Sequence, residues 1–131
     1  MIRIIAFVLS GFAAFPASAT DLEAMNELTC SIFNTSTGTI MQLRQSGATH
    51  EDVYNTHAKA YEVEREESIG LHILRELLLN AVDEAYNEWR LREDDFGKEK
   101  VVADFVGNHS RLCKTNWYRH FLRLEAEGYT F

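Results

Sequence analysis

The chain has 131 residues, 46% of them hydrophobic and 25% charged, with one Pro, two Cys and a net charge of −7. That suffices for one compact domain and is too apolar for a disordered chain. An isoelectric point near 5.2 argues against the basic face that nucleic-acid binding needs.

The first segment reads as a targeting signal. Arg3 gives a positive start, and Ile4 to Phe15 is apolar but for Ser10 and Gly11. Pro16 ends any helix, and Ala17-Ser18-Ala19 is an A-x-A cleavage site. This is the three-part plan of a secretory signal peptide, residues 1–19, cut after Ala19. The apolar run falls short of the ~20 residues that span a bilayer, so a retained membrane anchor is disfavoured. Thr20, not Cys, follows the cut, which argues against a lipid anchor. The expectation is one domain, residues 20–131, exported to the periplasm or secreted. Loss of Arg3 leaves it more acidic still.

Cys30 and Cys113 both survive the cut. In an oxidising compartment two thiols in a small domain usually pair. Two free or metal-binding thiols are the alternative.

Leu22, Met25, Leu28, Ile32, Phe33, Ile40 and Leu43 step by threes and fours, which predicts a first helix. Thr35-Ser36-Thr37-Gly38 inside it has poor helix propensity. It marks either a kink or a close helix–helix approach. Gly47 stops the helix. Thr49 then caps a short second helix carrying Val53, Tyr54, Ala58 and Tyr61. Glu62 to Glu67, with four Glu and one Arg, reads as a solvated stretch or a frayed end. A broad apolar face from Ile69 to Trp89 predicts a central third helix. Arg92 to Gly97 reads as a loop. A last helix starts near Val101 and extends through Phe105, Cys113, Trp117, Phe121 and Leu124 toward Gly128. No segment alternates with period two, so the expected fold is all-α. It is a small bundle of about four helices closed by one disulfide, Cys30 to Cys113.

Familiar chemistry is missing. The glycines are scattered, so no phosphate-cradling loop forms, and there is no C-x-x-C. No Glu stands three residues before a His, which removes the di-iron bundle motif. His50-Glu51-Asp52-Val53-Tyr54 lacks the second His of a zinc protease helix. His50 and His57 are two turns apart, too far to share an ion. His109 and Cys113, at i and i+4, could chelate only if Cys113 stays out of a disulfide. Glu84 and Glu88 share a helix face that reads as wet. Asn34-Thr35-Ser36 and Asn108-His109-Ser110 match the glycosylation pattern inside predicted helices. No metal, cofactor or catalytic residue is assigned.

One stretch differs in character. Arg111 to Arg123 holds Arg111, Lys114, Arg119 and Arg123 with no Asp or Glu, interleaved with Trp117, Tyr118, His120 and Phe121. Arginine with aromatics is the usual composition of interface hot spots. Partner-binding residues are therefore expected to be Arg111, Lys114, Trp117, Tyr118, Arg119, Phe121 and Arg123. Two other readings stand beside this one. Trp117 and Phe121 could finish the core while the arginines balance an acidic body, or the segment could lie on a membrane surface.

Cys30, the run Ile40-Met41-Gln42-Leu43-Arg44-Gln45-Ser46-Gly47, the run Leu78 to Tyr86, Phe105 and Cys113 together resemble a loose group of small exported two-cysteine helical proteins of bacteria and their phages. The resemblance implies an all-α, disulfide-closed periplasmic domain and implies no activity. The acidic stretch Glu62 to Glu67 and the long tail after Cys113 depart from it. The functional expectation is a non-enzymatic binding protein of the cell envelope, an inhibitor or immunity factor acting on a periplasmic or cell-wall enzyme. Its alternatives are an acid-stress chaperone and a small hydrolase working through His57, Glu84 or His109.

Overall fold

The computed structural model describes residues 19–131. The expected leader and its cleavage signal lie outside them, apart from Ala19, the first residue of the first helix. The described residues form four helices: α1 Ala19–Gln45, α2 His50–Ala60, α3 Ile69–Asn87 and α4 Asp95–Ala126. The expected all-α bundle is the observed fold.

Local chemistry sets the helix ends. The Thr49 hydroxyl accepts from the Asp52 N–H at 3.1 Å and starts α2. Ser68 caps α3 through the Gly70 N–H. Asp94 accepts from the Gly97 N–H at 2.6 Å, so α4 begins at Asp95. The expected loop through Gly97 is therefore shorter, because one carboxylate satisfies an orphan donor of the first turn. Gly47 and Gly128 end α1 and α4 in the left-handed region, with φ of 95° and 93°. At each end the following N–H reaches back five residues, Ala48 to the Leu43 carbonyl and Tyr129 to Leu124. This is the Schellman closure, which glycine enters without a Cβ penalty.

α1 runs through the Thr35 to Gly38 stretch as one continuous helix. The Thr35 and Ser36 hydroxyls donate to the Ser31 and Ile32 carbonyls, and Thr37 donates to Asn34. These weak helix formers are satisfied within their own helix. The alternative reading of that stretch fits better, since Thr37 is fully buried and Gly38 faces Val106 of α4.

The core is a three-helix package of α1, α3 and α4, with α2 laid on α3. Met25 packs on Gly70 and Gln45 reaches Arg90, so α1 and α3 run parallel. Phe105 meets Trp89, and His109 meets both Glu84 and Phe33, so α4 runs antiparallel to both. Ile40, Met41, Ile73, Leu78, Val82, Phe105 and Trp117 fill the centre with essentially no exposure. In α2 only Val53 and His57 are buried, and the His57 imidazole bonds the Val53 carbonyl through Nδ1 at 2.8 Å.

The expected bridge is present. Cys30 and Cys113 are joined, with Cα atoms 5.8 Å apart, and fasten α1 to α4. Buried Asn26 donates beside it to the Lys114 carbonyl at 3.1 Å. At the other end of the bundle, buried Gln45 spans the α3–α4 connection. Its amide donates to the Arg90 carbonyl at 2.9 Å and accepts from the Arg92 N–H at 2.8 Å. No described helix is long and apolar enough to cross a membrane.

Candidate functional site

A helix of 3.6 residues per turn divides any continuous patch between its faces. The segment Arg111 to Arg123 is divided this way. Phe105, Cys113, Trp117 and Phe121 follow at multiples of four and turn into the core. Trp117 is 0% and Phe121 7% exposed, with rings stacked 5.4 Å apart. These two expected partner-binding residues lie in the hydrophobic core of the bundle, where an external partner does not reach. The reading that they finish the core describes their place.

The edges of α4 take two more residues of the patch. Lys114 turns toward α1, with Nζ 3.6 Å from Glu27. Arg123 turns toward α3, where its guanidinium binds Glu76, and also reaches Glu127 one turn on. Glu76 accepts from His120 as well, at 2.7 Å. The Glu76 carboxylate raises the already high Arg123 pKa by hydrogen bonding, so this cation is permanent.

What faces outward is Arg111, Tyr118 and Arg119, joined by Leu122, which is 64% exposed. Arg111, Thr115, Tyr118 and Leu122 step by four, three and four and form one stripe, with Arg119 beside it. The Arg111 guanidinium donates to Asn108 at 3.2 Å. Arg119 has no ion-pair or hydrogen-bond partner among the described residues. The Tyr118 ring leans edge-on against buried Trp117 at 5.2 Å, which fixes it to the core beneath. Leu122 escaped the sequence reading because it carries neither charge nor an aromatic ring.

Three carboxylates of α3 each meet a histidine. Besides Glu76 with His120, Asp83 meets His50 at 2.8 Å on an open surface. Glu84 meets His109 at 2.8 Å and also accepts from the Trp89 indole at 3.1 Å. Glu84 is therefore engaged in the α3–α4 seam, not on the wet face expected for it, while Glu88 is exposed. The structure thus joins two of the three residues named for acid–base chemistry and leaves His57 apart. The other ring contacts of His109 are the apolar rings of Phe33 and Phe105. Cys113 is in the disulfide, so it cannot join His109 around an ion. No group of three potential metal ligands occurs among the described residues.

A cleft of about 400 Å³ separates the end of α1 from the start of α4, lined by Gln42, Gln45, Lys98 and Val102. A second, of about 490 Å³, lies at the opposite end, where residues 62–65, α3 and the chain's last residues meet. No protein-family model, curated protein or solved structure matches the chain.

Proposed function

We propose that this chain is an exported binding protein of the cell envelope that engages an acidic protein surface through the outer face of α4. An inhibitor or immunity factor against a periplasmic or cell-wall enzyme is the role that suits it. The observation that carries the reading is the stripe Arg111–Tyr118–Leu122 with Arg119. It sets cations, one of them unpartnered among the described residues, around an aromatic ring on a helix held from below by Trp117 and the disulfide. A rigid anchor of Arg and Tyr loses little entropy on binding. On a chain of net charge −7, such a basic stripe favours a negative partner and speeds the encounter. The disulfide fits maturation outside the reducing cytoplasm. The leader directs the chain to the periplasm or beyond, with Thr20 as the new first residue.

Affinity capture from envelope extract tests this. Wild type retains a partner, the double variant Arg111→Glu, Arg119→Glu loses it, and Glu51→Lys on α2 keeps it. Circular dichroism checks that all three fold alike. A partner held equally by all three would place the binding surface elsewhere. Intact mass checks export: protein recovered from the envelope begins at Thr20, and a mass that still includes Met1 would remove the signal-peptide reading.

A further inference from the structure

Independently of the α4 face, the acidic stretch after α2 builds a pocket with the chain's C-terminal residues. Glu62, Glu64, Arg65, His72, Arg75 and Tyr129 line the cleft of about 490 Å³. Its walls are tied together. The Arg65 guanidinium lies 3.7 Å over the Tyr129 ring and donates to the Glu127 carbonyl at 2.9 Å. The Ile69 N–H donates to the Thr130 carbonyl at 3.0 Å. The His72 imidazole meets Tyr129 edge-on at 4.5 Å. These contacts within the walls fix the shape of the cleft.

Its charges are not used up internally. Among the described residues, Arg75 has no ion pair or hydrogen bond, and the Glu62 and Glu64 carboxylates have no side-chain partner. Nε2 of His72 is buried without a partner. Cations and carboxylates line one cleft yet leave each other unpaired, so both signs are on offer. A simple anion would meet the two glutamates, and a simple cation would meet the two arginines. A ligand carrying both charges avoids each repulsion.

We propose that this cleft binds a small dipolar ligand, an amino acid or a short free peptide. Its carboxylate settles on Arg75 and the free donors of Arg65, the planar fork that suits carboxylates. Its ammonium faces Glu62 and Glu64, and the Tyr129 ring and Val63 cover its aliphatic part.

Amide NMR titration of the folded, oxidised protein tests this with alanine, alanyl-alanine, N-acetyl-alanyl-alanine, alanyl-alaninamide and acetate. Alanyl-alanine should shift the amides of residues 62–65, 72–75 and 129. Acetylating its amine or amidating its carboxylate should weaken it about tenfold or more. Arg75→Ala and Glu64→Gln should each do the same and leave the rest of the spectrum unchanged. Alanine binding as well as the dipeptide assigns a free amino acid, and a response to the dipeptide alone assigns a short free peptide. Absence of shifts up to about 10 mM, a weak-binding ceiling, overturns the proposal. An equal response to the blocked probes or to acetate overturns it too.

Discussion

The Cys30–Cys113 bridge closes a loop of 83 residues between buried half-cystines, 5% and 1% exposed. On the chain-entropy account, removing a crosslink of that span frees the unfolded chain by about 4.5 kcal/mol. Small domains have roughly 5–15 kcal/mol in all. The double variant Cys30→Ala, Cys113→Ala should therefore lose about 30% of its stability or more. With a urea dependence of about 1–3 kcal/mol per molar, its unfolding midpoint should fall by roughly 1.5–4.5 M. Urea titration followed by far-ultraviolet circular dichroism measures this directly. Native helix should persist in the variant without denaturant if packing alone still holds α1 on α4 through Phe33, Asn26 and Val106. A variant within about 1 kcal/mol of the parent, equally cooperative, would refute the argument that the bridge supports a marginal core.

Trp117→Ala should cost about 3–5 kcal/mol in the same assay, because it empties the centre of the bundle, while Arg119→Ala should stay within about 0.5 kcal/mol. Equal effects would mean that the phase of α4 is wrong. Gln45→Ala should cost about 2 kcal/mol, since it strands the Arg90 carbonyl and the Arg92 N–H in a part-buried turn; exposed Gln42→Ala is the neutral control. Burial raises the Tyr86 pKa above 10.0, against the opposing pull of Arg44 and with a smaller push from Asp52. The folded state thus holds the phenol proton more tightly than the unfolded chain, so stability is complete below pH 10 and falls as pH rises through the folded value. Urea midpoints across the alkaline range should show this decline and should lose that step in Tyr86→Phe; a flat profile in the parent would contradict it.

Elements governed by local spacing were legible from the chain. The α1 and α3 stripes, the Thr49 cap and the Gly47 stop each depend on neighbours a turn away. Asp94 was hidden because Arg92 to Asp95 looks like any solvated run, and only the cap geometry separates the last loop residue from the first helical one. Within the α4 patch, neighbours differ by about 100° around the axis, so composition alone cannot separate Trp117 from Tyr118. The signal was nevertheless there. Cys113 must face α1 to form its bridge, and steps of four from it turn Trp117 and Phe121 inward and leave Tyr118 outside. The pairs Glu84–His109 and Glu76–His120, and the cleft joining residues 62–65 to Tyr129, unite segments far apart in the chain. No local pattern encodes which side chains such packing brings together.

A photoreactive residue placed at position 119 and activated in intact cells tests the binding face most directly. The outer surface of α4 predicts one covalent adduct with an envelope protein from position 119 and none from exposed Thr56 on α2. No adduct from 119, or the same adducts from both positions, would contradict it.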